Sequence, residues 1–201
     1  MIVVVRHGRT AANAGGLLLG RADPPLDAEG DRQVAALARV CAGLDVVRVV
    51  TSPLGRCRAT AVAVAAAAGG ARLDVDERWV ELDYGELDGV PLTELPPAMW
   101  AEWRSDPAWA PPGGESLVDL GVRVREGAGA LVEDAADRDV VVVSHVSPIK
   151  AAVAWALGVG DEVAWRMWVA TASITRIGCS GATPSLRSFN ETAHLVRAAG
   201  P

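Results

Sequence analysis

Cysteine is scarce in this 201-residue chain, with only Cys41, Cys57 and Cys179, an odd number at wide spacing. There is no C-x-x-C pair and no histidine at ligand spacing from them, so neither a disulfide framework nor a structural zinc site is indicated. Free thiols in a reducing compartment account for all three. An excess of positive charge is also lacking. A net charge of −6 and an isoelectric point near 5.1 argue against the basic stripe that nucleic-acid or membrane-surface binding requires. No apolar run reaches the length of a bilayer span; Ala59 to Ala68 and Val140 to Val143 fall well short, and Ile2 to Val5 is too short for a signal-peptide core. A soluble, unexported, cytoplasmic protein is the expectation. No G-x-G-x-x-G follows the first apolar run, which argues against a dinucleotide-binding oxidoreductase. No internal repeat is visible.

What is present reads as one globular domain spanning 1–201. Half the residues are apolar and 22% are charged, which suits neither disorder nor a coiled coil. Short β-branched runs alternate with longer helical patterns, the mark of an α/β domain. The expected architecture is a three-layer α/β/α sandwich on a central, mostly parallel sheet. Ile2 to Val5, Val46 to Val50 and Val140 to Val143 are apolar on nearly every residue, as strands covered on both faces must be. Leu73 to Val75, Ser173 to Ile177 and Ser185 to Phe189 are weaker strands, expected towards the edges. Asp27 is placed to cap a helix carrying Val34, Leu37, Ala38, Cys41 and Leu44 at helical spacing. A second helix starts at Leu54. Ser116 and Asp119 form a capping-box pattern before a third, and Ser147 with Pro148 are expected as N-cap and first residue of a fourth. Residues 85–114 hold six of the 12 prolines and Trp100, Trp103 and Trp109 without clean periodicity. They read as a small inserted cap whose tryptophans form its own core or, alternatively, an aromatic wall for a leaving group.

Open α/β sheets bind ligands beyond the carboxyl ends of their strands. After the first strand stand Arg6, His7, Gly8, Arg9, Thr10 and Asn13. Thr51, Ser52 and, one helical turn on, Arg56 follow the second. Ser144 and His145 follow the Val140 to Val143 strand. Two of only three histidines thus join arginines at one sheet edge. A phosphate monoester dianion repels anionic nucleophiles, whereas a neutral imidazole brings no charge into the attack. Guanidinium groups match the non-bridging oxygens, at roughly 1.5 to 3 kcal/mol for each charge-assisted contact. Gly8 is expected to let the chain turn so that Arg6 and His7 share a pocket. Among Glu81, Asp83, Glu86 and Asp88, spacing alone selects no proton donor. Arg9 and Arg21 could widen the basic patch, and Arg58 reads as surface.

Arg6-His7-Gly8-Arg9-Thr10 with Asn13 resembles the R-H-G-x-T-x-x-N signature of the histidine phosphatase, or phosphoglycerate mutase-like, superfamily. Ser52 to Ala61 resembles its S-P-L-x-R-A-x-x-T-A segment, with Cys57 in place of alanine. Glu81 to Gly89, Pro112 to Ser116 and Val143-Ser144-His145 resemble three further segments of the family. Asn190-Glu191-Thr192-Ala193-His194-Leu195 resembles the terminal N-x-T-x-H-L of its alpha-ribazole phosphatase branch. The resemblance implies His7 as the residue phosphorylated, Arg6, Arg56 and His145 as the phosphate pocket with Asn13 assisting, and Glu81 as proton donor. Thr10, Arg9, Arg21 and His194 are then candidate substrate contacts. It further implies hydrolysis of a small phosphorylated metabolite; no metal or cofactor is expected, and a homodimer is an open alternative. A mutase would use the same residues but return the phosphoryl group to a substrate. A non-catalytic phospholigand-binding domain would be expected to have lost a histidine or the acid, and here none is lost.

Overall fold

Valine-rich runs that are apolar on consecutive residues need cover on both faces, and the computed structural model provides it. It describes residues 1–196; residues 197–201, the end of the expected domain, lie outside the described residues. The elements run β1 (Ile2–Arg6), α1 (Ala11–Ala14), α2 (Ala28–Cys41), β2 (Val46–Thr51), α3 (Gly55–Ala67), β3 (Arg72–Val75), α4 (Pro97–Ser105), α5 (Leu117–Gly129), α6 (Val132–Asp137), β4 (Asp139–Ser144), α7 (Val146–Leu157), β5 (Ile174–Gly178) and β6 (Ser185–Glu191), with short 3-10 turns between them. The sheet order is β3-β2-β4-β1-β5-β6. β1, β2, β3 and β4 pair in parallel, whereas β5 and β6 are antiparallel additions. β3 and β6 are the edges, but β5 lies inside the sheet beside β1 and is almost wholly buried.

Alternation along the central strands divides the core. Val3, Val5, Val141 and Val143 pack with Leu37 and Cys41 of α2 and Ala61 and Val64 of α3. Ile2, Val4, Val140 and Val142 face the other way, against Leu120 and Val124 of α5 and Ile149 and Ala152 of α7. The result is the α/β/α layering expected.

Local signals account for several helix starts. The Asp27 carboxylate accepts from Gly30 N at the head of α2, and Ser116 Oγ accepts from Asp119 N at the head of α5. α2 ends at Cys41, so Leu44 lies beyond it. Two glycines of α5 serve packing: a Cβ on Gly121 would collide with the Asp161 carboxylate, and one on Gly127 would meet Trp79 Nε1 at 3.2 Å.

Residues 85–114 form 3-10 turns at Gly85–Leu87 and Leu92–Glu94 followed by α4. Trp100 stacks on Trp103 with centroids 5.6 Å apart, and Trp165, from outside the segment, meets Trp103 edge-on at 5.4 Å. The tryptophans therefore form a core shared with the body of the protein and also a wall of the cavity described below. No helix among the described residues is long and apolar enough to cross a membrane.

Candidate active site

Register brings the distant residues together. Arg6 of β1 is paired with Ser144 of β4, and Thr51 of β2 with Val143. His7, His145 and Ser52 therefore leave the sheet side by side, with His7 N donating to Ser144 O at 3.0 Å and Ser52 N to Val143 O at 3.0 Å. The two imidazole centroids are 5.1 Å apart at an interplanar angle of 62°. Both rings are buried.

The His7 ring is oriented by its own neighbour. Nδ1 lies 2.7 Å from Gly8 O, and a carbonyl only accepts, so Nδ1 carries the proton and Nε2 keeps the lone pair. Burial first, then the charges of Arg6 and Arg56, hold the His7 imidazole well below the ordinary histidine range. His145 is held down likewise by burial, then by His7 and the arginines. Its Nε2 is 2.7 Å from Ser52 Oγ and 3.3 Å from Cys57 Sγ. Gly8 is not in the left-handed region; it is glycine because a Cβ there would stand 2.7 Å from Gly30 O and 2.8 Å from Val34 Cγ2. Close approach to α2, rather than a sharp turn, is the constraint.

Two guanidiniums stand nearby, Arg56 buried and Arg6 half-buried. Arg6 Nη1 donates to Val169 O at 2.7 Å, and burial brings its pKa down to about 10, which leaves it cationic at neutral pH. Arg56 donates to Gly20 O at 2.8 Å and Ala22 O at 2.6 Å and lies 3.4 Å from Asp23. The loop holding Arg56 is itself pinned by Asp88, which accepts from Gly20, Arg21 and Ala22 N–H groups at 2.8 Å each. In both arginines Nε is buried without an acceptor among the described residues.

Glu81 sits at the head of α7. Its Oε1 accepts from Leu82 N at 2.8 Å and Ser147 N at 3.1 Å, and Oε2 accepts from Val146 N at 3.1 Å. This corrects the expected helix start: His145 is the N-cap, and Ser147 and Pro148 already lie inside α7. The reason is tertiary, since a carboxylate from elsewhere in the chain satisfies the free N–H groups of the first turn. Proline in that turn costs no hydrogen bond.

Arg6, His7, Glu81, Arg9 and Asn13 line one cavity of about 500 Å³. Among the described residues Glu81 is its only acidic lining residue; Asp83 turns instead to Gly85 N and towards Arg21. Asn13 Oδ1 accepts from Thr10 N and Thr10 Oγ1, and buried Thr10 caps α1, so Thr10 positions Asn13. Arg9 is tied to Asp27 at 2.8 Å. The structure places Arg21 outside this cavity, facing Asp83 and Glu115. His194 is also placed outside it, in a recess against α2, where Nε2 donates to Ala172 O at 3.0 Å. Ala172 N in turn holds His7 O at 3.1 Å, so His194 is linked to the backbone of His7 through Ala172. Arg58 is exposed.

Sequence reasoning missed Tyr84, Ser147, Trp165 and Lys150, all of which line the cavity. The spacing of Ser147 and Lys150, three residues apart on one helix face, was the available signal for the last. Among the described residues no three His, Cys, Asp or Glu side chains converge as a metal-sized group.

Two imidazoles and two guanidiniums thus meet at the carboxyl edge of a largely parallel sheet in an α/β protein. The chain belongs to the histidine phosphatase superfamily, branch 1, whose family model matches residues 2–192. A bifunctional protein of Mycobacterium tuberculosis is 36% identical over 200 residues, covering 96% of this chain and 54% of that protein. The chain thus spans about half the length of that curated relative. A protein of Yersinia enterocolitica named a probable phosphoglycerate mutase is 30% identical over 206 residues, covering 96% and 94%. The solved structure of a mycobacterial glucosyl-3-phosphoglycerate phosphatase superposes with a TM-score of 0.86 at 29% identity, covering 95% of this chain and 99% of that one.

Proposed function

We propose that this chain is a phosphomonoester hydrolase acting on a small phosphorylated metabolite through a phosphohistidine on His7. One observation carries the reading: the His7 ring, held by Gly8 O with Nε2 unprotonated, lies 5.1 Å from the His145 ring beside the guanidiniums of Arg6 and Arg56, whose charges help to keep it neutral. Catalysis of phosphoryl transfer is mostly positioning and charge stabilisation, and these groups provide both.

In this reading His7 Nε2 attacks phosphorus while Arg6, Arg56 and His145 hold the non-bridging oxygens. The ester P–O bond breaks, and the departing alkoxide takes a proton from Glu81. Glu81 Oε1 already accepts two N–H groups whereas Oε2 accepts one, so Oε2 is the oxygen free to carry that proton. Water then attacks the phosphohistidine and gives its proton to Glu81. The P–N bond breaks, phosphate leaves, and the His7 lone pair and the protonated carboxyl group are restored.

We read residues 85–114 as the cap that forms the leaving-group side within a single domain, and the free thiols as pointing to the cytoplasm. The mycobacterial structure bears a phosphatase's name and favours water as acceptor. The Yersinia relative bears a mutase's name, which keeps phosphoryl return to a substrate as the second reading.

The test follows a panel of phosphorylated metabolites, phosphoglycerates and alpha-ribazole phosphate included, for both phosphate release and isomer exchange. Phosphate release is expected, with a loss of roughly a thousandfold or more in His7→Ala. Near-normal release by that variant would refute the assignment, and isomer exchange without release would move the chain to the mutases.

A further inference from the structure

The chain has 18 arginines and a single lysine, Lys150, and that lysine lines the cavity from α7. It is half-buried and has no hydrogen-bond or ion-pair partner among the described residues. The other cations of the cavity are accounted for. Arg6 belongs to the phosphate pocket, and Arg9 is paired with Asp27. The same cavity is lined by Trp100, Trp103, Trp165, Trp168 and Leu92. It therefore offers an unpaired ammonium group together with an apolar, indole-rich wall, and among the described residues Glu81 is its one carboxylate.

We propose that Lys150 is a specificity-determining residue that selects phosphomonoesters whose leaving group joins an apolar or ring-shaped body to a carboxylate. This rests on the phosphatase reading for the position of the phosphate. A half-buried ammonium gains most from an anion that arrives with it in a water-poor site, while the ring body packs on the indoles. A lysine suits the task as a compact charge on a flexible stem, whereas the phosphate is held by the fixed forks of the arginines. Burial pulls the Lys150 ammonium below the ordinary lysine range, with Arg6 adding to this and Glu81 opposing it, so an incoming carboxylate would relieve a real desolvation cost.

Phenylphosphonate and 3-carboxyphenylphosphonate, which cannot be hydrolysed, separate the two questions. Their affinities for the wild-type protein and for Lys150→Met and Lys150→Arg are measured by calorimetry. The ratio of kcat/KM for the two corresponding phosphate esters is measured alongside. The wild type is expected to prefer the carboxylated phosphonate at least tenfold. Lys150→Met should bring that ratio to within about twofold of unity, and Lys150→Arg should retain most of it. A wild-type ratio near unity, no binding of either phosphonate, or a ratio unchanged in a folded Lys150→Met would overturn the proposal. Failure of the phosphatase reading shows differently, as absence of phosphate release from both esters, and leaves the phosphonate ratio to decide on Lys150.

Discussion

Glu81 and Ser147 are joined by a 3.1 Å hydrogen bond between a carboxylate oxygen and a backbone N–H in the first turn of α7. The proposed proton donor thus also satisfies the first turn of the helix that begins at Val146. One carboxylate would serve both the chemistry and the helix.

Glu81→Gln should accordingly have two effects. A carboxylate only accepts, but an amide would turn a donor towards one of the three N–H groups now bonded to Glu81, leaving it unsatisfied in a buried site. A loss of about 1 to 3 kcal/mol in unfolding free energy is expected. Turnover of alkyl phosphates should fall far more than that of aryl phosphates with good leaving groups. Equal losses on both classes, measured at a temperature where the variant stays folded, would assign the proton to another group.

Gly8→Ala is expected to destabilise by about 1 to 3 kcal/mol through overpacking, because its new Cβ would lie 2.7 Å from Gly30 O. The displaced loop carries His7, so activity should fall further than stability suggests. Gly16→Ala, where nothing lies within 4 Å but φ is +68°, provides the comparison of backbone strain without a clash. A Gly8→Ala protein with unchanged melting temperature and turnover would show that the approach to α2 is not tight.

Asp88 does not line the cavity, yet it pins the loop whose carbonyls hold Arg56. Asp88→Ala should raise KM for phosphate monoesters, with a loss in kcat/KM of roughly tenfold, equivalent to about 1.4 kcal/mol of oxyanion contact. Steady-state kinetics check this; a drop in stability with unchanged KM would mean that Arg56 keeps its place without the loop.

Stability should fall as the medium is acidified from pH 6.5 to 5. The folded pKa values of His7 and His145 are depressed below the ordinary 6.5, so over this window the unfolded chain takes up protons that the folded one refuses. The stabilisation is present above pH 6.5 and is lost below it, at up to about 1.4 kcal/mol per pH unit for each histidine. Urea melts across this range measure the slope. His7→Gln should reduce it, and a flat profile would mean that the buried rings protonate freely.

Much of the fold is legible in local sequence. The valine runs became β1, β2 and β4, and Asp27 and Ser116 cap the helices they precede. Periodicity and capping act within a few residues, so a linear reading captures them. The start of α7 was misread because its cap comes from Glu81. Gly8 was assigned to a turn because its collision partner, Gly30, belongs to another element.

By itself, the sequence determined the α/β alternation, the strand and helix segments, and the presence of His7, Arg6, Arg56 and His145 after strand ends or one helical turn beyond them. All of these follow from short-range patterns of apolarity and from residue chemistry. Only the tertiary structure decided the strand order, the antiparallel placing of β5 within the sheet, and the placing of Arg21 and His194 outside the cavity. It alone brought the single lysine to the cavity. These depend on which distant segments pack together, and that choice is made by the free energy of the whole core rather than by any window of the chain.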